Sequence, residues 1–219
     1  MESSNSEKIK SLLPLTYMPN VDWFAIYLNS DEVIIEAEEN FSKQSYRNRC
    51  EILSANGPLP LILPVLNKNS KEGIQNMALN HSENWAWKHY HAIQSAYGKA
   101  AYFEYYQPEI EKLYNSASQD NLWSWNLRCL KMLLKWLKCE EKHGYTHIFE
   151  KENLLTKDFR QSFKPAKQTS IYDHKSYLQV FVDRFPFIQN LSVLDLVFNL
   201  GPQSRDYLLT YHYKNQLND

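Results

Sequence analysis

Glycine scarcity limits this chain more than any other feature of its sequence. Five occur in 219 residues, Gly57, Gly73, Gly98, Gly144 and Gly201, and no two lie close together. At the usual frequency of about 7% a chain of this length would carry roughly three times as many. Neither G-x-G-x-x-G nor G-x-x-x-x-G-K-[ST] can be written from isolated glycines, which excludes the two common backbone cradles for phosphate in their standard form. A bound phosphate would have to be held by side chains or by a helix N-terminus. Hydrophobic residues make up 43% and charged residues 22%, the balance of a folded domain. The length suits one domain over 1–219, with an α/β portion over about 10–80 and a mainly helical portion over about 83–219. The 24 basic and 25 acidic residues leave a net charge of -1, so bulk charge gives no argument for nucleic acid or an anionic membrane as partner.

Met1 to Ser6 are polar and no apolar stretch of signal-peptide length follows, so a cytoplasmic protein is expected. The most apolar long stretch, 127–137, is broken by Lys131 and Lys135. A membrane span needs about 20 apolar residues, and none is expected here. Cys50, Cys129 and Cys139 show no C-x-x-C spacing and read as reduced thiols, either core side chains or a catalytic thiol.

Short apolar runs at 12–18, 33–35, 59–65 and 74–79 predict strands. Between the first two, 21–28 has helical spacing with Asn20 as its N-cap, which gives a β-α-β start. The fold class expected is therefore α/β: an N-terminal β-α-β layer with a short mixed sheet, followed by a mainly helical C-terminal half. From Asn84 the pattern turns helical, with Trp85, His89, Ala92 and Ala96 on one face and Gly98 as the stop. A longer helix is expected over 120–143, ending at Gly144, with Arg128, Lys131, Lys135, Lys138 and Lys142 along one ridge. That ridge is either a solvated face or a docking ridge for an acidic partner. The stretch 156–175, with Lys157, Arg160, Lys164 and Lys167 among Phe159 and Phe163, reads as a long, partly mobile surface segment. Ser192 caps a helix ending near Asn199, and Gly201-Pro202 leads into another running to about Gln216.

The densest polar cluster, 38–50, follows the second predicted strand, where ligands sit in open α/β sheets. Lys43, Arg47 and Arg49 beside Asn48 either clamp a phosphate or carboxylate, or form a surface turn neutralised by neighbouring acids. His89 and His91 lie two apart on a helix, about 200° around its axis, so they cannot readily share a metal ion, and no metal site is assigned. His89 shares a face with Trp85 and Tyr97, as a core histidine or as an acid–base group. Asp195 and Asn199 lie four apart on an otherwise apolar helix, as structural partners or as part of a site.

These clusters also carry a family resemblance. Tyr17-Met18-Pro19 with Trp23-Phe24, the run from Lys43 through Arg47-Asn48-Arg49 to Cys50, Asn56-Gly57-Pro58, Asn84-Trp85 with His89, Phe103-Glu104-Tyr105-Tyr106, and Asn190-Leu191-Ser192 through Asp195 to Pro202 resemble the WbqC-like family of bacterial proteins. Where that family usually has Pro-Phe-Phe-Glu, this chain has Ala101-Tyr102-Phe103-Glu104. The resemblance implies a role in bacterial surface-polysaccharide or O-antigen biosynthesis, by modification of an amino sugar through acyl or aminoacyl transfer. On that reading Lys43, Arg47 and Arg49 hold phosphate, Asn48 and Tyr97 orient the sugar or acyl group, and His89 is the general base. Trp85, Asn190 and Asp195 complete the substrate-binding set. The partners implied are a nucleotide-linked or carrier-linked sugar and an acyl or aminoacyl carrier; any cofactor is left open. The alternative is a non-catalytic scaffold that docks an acidic carrier or biosynthetic enzyme on the basic ridge. A nucleotidyl- or adenylate-forming enzyme, suggested by the β-α-β start, is weakened by the missing phosphate motifs.

Overall fold

The computed structural model describes residues 8–66, 71–117, 120–152, 155–163, 165 and 170–211. Its first strand, β1 (Lys10–Pro14), buries Leu12 and Leu13 and stops at Pro14, which has no amide hydrogen to extend a ladder. Helix α1 (Val21–Asn29) follows, capped as the sequence suggests by Asn20, whose Oδ1 accepts the Trp23 N–H at 3.0 Å. Residues 21–28 are all buried, so α1 is a core helix and not an amphipathic surface one. The Trp23 indole donates back to the Pro14 carbonyl at 2.9 Å, which fixes the helix against the strand it came from. Strand β2 (Glu32–Glu36) then returns parallel to β1, with Leu12 opposite Ile34.

After β2 the chain makes an antiparallel hairpin of β3 (Arg49–Ser54) and β4 (Gly57–Ile62), with Cys50 opposite Leu61. Helices α2 (Trp85–Tyr97), α3 (Phe103–Asn115) and α4 (Leu122–Trp136) come next. The chain then adds two very short strands, β5 (His143–Tyr145) and β6 (Lys157–Asp158), to the first sheet before α5 (Val193–Leu200) and α6 (Ser204–Leu209). That sheet has the order β5-β2-β1-β6 with every pair parallel. The α/β class and the β-α-β start are as expected, but parallel and antiparallel pairings occupy two sheets. All four parallel strands point the same way, so their carboxyl ends share one edge, the usual location of ligands in such sheets.

Several expectations need correction. Residues 74–79 are not a strand: Ile74–Asn76 is a single 3-10 turn, and Leu79 makes one isolated bridge to Val65. Helix α3 has no counterpart in the sequence reading. Pro108 is the sixth of its thirteen residues and removes the bond its amide would give the Glu104 carbonyl, but the buried row Phe103, Tyr106, Ile110, Leu113 and Tyr114 secures the helix on both sides of it. Helix α4 ends at Trp136, well before Gly144, because Lys138 turns into the left-handed region at φ 50° and frees His143–Tyr145 to pair with β2. The stretch 156–175 is not simply a surface segment, since it carries β6 and buries Phe159, Arg160 and Phe163. The last predicted helix begins as α6 and ends at Leu209; its expected continuation past 211 lies outside the described residues.

Gly201 ends α5 with φ 54° and ψ -126°, a combination side chains avoid, and a Cβ there would overlap the Tyr102 ring. Replacing Gly201 with Ala is expected to cost at least about 2 kcal/mol in urea denaturation. Gly144→Ala, which meets nothing within 4 Å, should stay within about 0.5 kcal/mol of the parent.

Candidate functional site

The loop between β2 and β3 positions the candidate residues, and it is organised by a buried ion pair. Arg47 donates from Nε to Glu39 Oε1 at 2.9 Å and from Nη2 to Oε2 at 2.6 Å, with both side chains nearly inaccessible. The same Nη2 donates to the Arg160 carbonyl at 3.1 Å, and the Arg47 carbonyl accepts from Asn126 Nδ2 on α4 at 2.7 Å. Burial pushes the Glu39 carboxyl up, while the Arg47 guanidinium pulls it back down. Arg47 therefore does not project as a third cation beside Lys43 and Arg49. Its guanidinium is taken up within the protein.

The neighbouring residues do converge. Lys43, Gln44, Asn48 and Arg49, with Phe41 and residues 62–65, line a cavity of about 320 Å³, at the small end for ligand sites. Asn48 is pinned on Leu63, donating from Nδ2 to its carbonyl at 2.9 Å while the Leu63 N–H donates to the Asn48 carbonyl at 2.8 Å. That bond fixes the amide orientation and leaves Oδ1 as a buried acceptor with no partner. Arg49 Nε is a buried donor in the same condition. Two adjacent residues that line one cavity, with a lysine at its wall, thus each carry a buried polar atom without a partner. Thr16 Oγ1, Trp125 Nε1 and Asp195 Oδ1 are in the same condition elsewhere, so what distinguishes this place is that two such residues adjoin a lysine at one cavity.

His89 lies beside this cavity and not among its lining residues. Its Nδ1 is 2.9 Å from the Tyr17 hydroxyl, which lies 2.5 Å from the Tyr114 hydroxyl, and the ring also bonds the main chain of Ile62, a cavity residue. Burial lowers its pKa to about 4, against that main-chain bond, which favours the charged form. Trp85 packs edge-on against His89 and Trp125. The ring of His91 packs instead, tilted by 53°, against Trp87, with centroids 4.2 Å apart.

The remaining candidates lie elsewhere. The Tyr97 hydroxyl accepts the Leu53 N–H at 3.0 Å, and Asp195, wholly buried, accepts from Tyr177 at 2.6 Å and Gln179 at 2.8 Å. Burial raises the Asp195 carboxyl above its ordinary range despite those donors. Asn190, at φ 58°, donates to Asp22 Oδ2 at 2.8 Å and accepts the Asp22 N–H at 3.0 Å. Asp22 also accepts from Ser170 and the Ile171 N–H, and lies 2.6 Å from His174 Nε2. It is a hub that sequence reasoning missed, although an acid in the first turn after a capped helix start was its signal. A second missed hub joins the strand ends: Arg160 donates to Glu36 at 2.7 Å and to Asp158 at 2.6 Å beside Thr146, at a cavity of about 270 Å³. The basic ridge is partly neutralised. Arg128 pairs with Asp120, Lys135 pairs with Glu109, and Lys142, beyond the end of α4, donates to the Leu28 and Ser30 carbonyls.

No helix among the described residues is long and apolar enough to cross a membrane. The sequence model of the WbqC-like protein family matches residues 15–156, a span that includes the 37–48 loop, the hairpin and His89 but not Asn190 or Asp195. A Mycobacterium tuberculosis protein described as "Uncharacterized protein Rv1507c" is 23% identical over 222 residues, covering 90% of this chain and 96% of its own length. No solved structure gives a significant match.

The buried His89 gives a pH signature. The unfolded histidine takes up its proton near pH 6.5, whereas the native ring stays neutral down to about 4, so its contribution is complete at pH 7 and is lost as pH falls across that window. By pH 5 the loss should reach about 2 kcal/mol in urea denaturation, and His89→Gln should lack it. Comparing the two proteins isolates the effect, because the raised Glu39 and Asp195 carboxyls slope the other way in both. Equal pH slopes would show that His89 is not the source.

Proposed function

Because the chain belongs to the WbqC-like protein family, we propose that it acts in bacterial surface-polysaccharide assembly. In this reading it binds a phosphate-linked amino sugar, nucleotide-linked or carrier-linked, and presents the sugar amine for acyl or aminoacyl transfer. The observation that carries the reading is the convergence of Lys43, Asn48 and Arg49 on one cavity, with Asn48 Oδ1 and Arg49 Nε buried at its wall and unpartnered. A phosphate supplies acceptors for Arg49 and Lys43, and a sugar hydroxyl or amine supplies a donor for Asn48 Oδ1. A fully deprotonated inorganic anion such as sulfate satisfies only the first half of that pattern. At about 320 Å³ the cavity suits a sugar and its phosphate, with the nucleoside or carrier left outside.

His89 serves this site as a positioning residue. Through its bond to the Ile62 main chain it holds the end of β4, and with it the cavity wall, to the Tyr17–Tyr114 pair. The Glu39–Arg47 pair fixes the opposite approach, since Asn48 and Arg49 follow Arg47 directly in the chain.

Titration calorimetry with a uridine-diphosphate amino sugar tests the proposal, with the unphosphorylated sugar as control. The phosphate-linked sugar is expected to bind and the free sugar not to. Lys43→Gln combined with Arg49→Gln should weaken binding at least tenfold, about 1.4 kcal/mol. Equal affinity of the double variant, or no binding of any phosphate-linked amino sugar, would overturn the assignment.

A further inference from the structure

Helices α3 and α4 run antiparallel. Glu109 on α3 meets Lys135 Nζ and Trp136 Nε1 at 2.9 Å each, while Ser116 one end further along accepts from Arg128. Between them lies a groove of about 560 Å³ lined by Glu109, Lys112 and Leu113 from α3, by its C-cap Ser116, and by Arg128, Lys131, Met132 and Lys135 from α4. Each set falls at i, i+3, i+4 and i+7, so each helix offers one continuous stripe to the gap. Leu113 and Met132 form the apolar floor, and the charged groups stand along its rims.

The rims are unequal in charge. Four cations face a single carboxylate of the groove, Glu109, and Asp120 offsets Arg128 from outside the lining. Among the described residues Lys112 and Lys131 form no ion pair and no side-chain hydrogen bond, and both are exposed. We propose that this groove is a docking site for an acidic amphipathic helix of a partner protein, whose apolar stripe covers Leu113 and Met132 while its flanking carboxylates meet Lys112 and Lys131. Laying an amphipathic helix between two helical stripes is an established mode of recognition, and a methionine in the floor adapts to different side chains. The charge pattern argues against a second copy of this chain as occupant. A two-fold contact over the groove would set Lys112 and Lys131 against the same lysines of the other copy.

This inference is independent of the anion cavity, because none of its residues lines that site. The probe is a fluorescein-labelled helical peptide of about four turns, with leucines along one face and glutamates flanking them; its control keeps the leucines and replaces glutamate by lysine. Fluorescence anisotropy with the full chain should show the acidic peptide binding at least tenfold more tightly than the basic one, with affinity falling as salt rises. Lys112→Glu combined with Lys131→Glu should weaken the acidic peptide at least tenfold without moving the thermal melt, since both side chains are exposed. Met132→Gln should weaken both peptides and leave the salt dependence unchanged. The proposal fails if the acidic peptide does not bind, if the two peptides bind equally, or if charge reversal has no effect. It also fails if the chain sediments as a dimer that Lys131→Glu dissociates, which would make a second copy the occupant.

Discussion

Arg47 and Arg160 are 2% and 3% exposed, and an arginine cannot escape burial by losing its proton, so each has to be enclosed by acceptors. Glu39 encloses the first, and Glu36 with Asp158 the second. Because Arg47 also donates to the Arg160 carbonyl, the two groups form one assembly. It ties the ends of β2 and β6, the loop before β3 and, through Asn126, helix α4. Apolar residues of similar volume often serve stability as well as a buried ion pair does, so the consequence here is positional. Four segments distant in sequence are brought to one place with fixed orientation, and removing one partner would strand a charge at the junction.

That assembly decides which charges remain for ligands. With Arg47 committed to Glu39, the run Arg47-Asn48-Arg49 divides its labour: the first residue anchors and the next two line a cavity. The scarcity of glycine is answered in the same region. Gln44 takes a left-handed conformation at φ 53°, as do Met18, Asn84, Lys138 and Asn190 elsewhere. Such residues cost roughly 1–2 kcal/mol each where no glycine relieves the crowding, less for asparagine. Gln44 lines the cavity beside Asn48, so part of that strain is held at the candidate site.

Local chemistry explains what could be read from the chain. Asn20 and Ser192 cap helices because a side-chain oxygen one step before an apolar run has an orphan amide within reach. His89 and His91 part ways because two helical residues at that spacing face opposite sides. Lys43, Asn48 and Arg49 meet because they are near neighbours on one loop and strand start. What escaped reading was set at long range. Strands of three and two residues, β5 and β6, have no periodicity of their own and exist because β2 and β1 offer open edges. The Arg47 partner was chosen by folding among several nearby carboxylates, and α3 was obscured by Pro108 although its apolar row was present in the sequence.

A net charge of -1 conceals two different arrangements of cations. At the hairpin, Lys43 and Arg49 line a small space beside Asn48, whose Oδ1 is a buried acceptor without a partner, so both charge and hydrogen-bond pattern bear on what fits there. Between α3 and α4 the cations stand at the rim of a larger space with an apolar floor, where long-range attraction and buried area act together and hydrogen-bond geometry counts for less. An enclosed, patterned cavity favours a compact ligand with fixed chemistry. An open, striped groove favours an extended one whose sequence can vary so long as its acidic and apolar faces are kept. The two regions are therefore suited to different kinds of molecule, and neither is lined by Arg47 or Arg160, the buried guanidinium groups that support the fold.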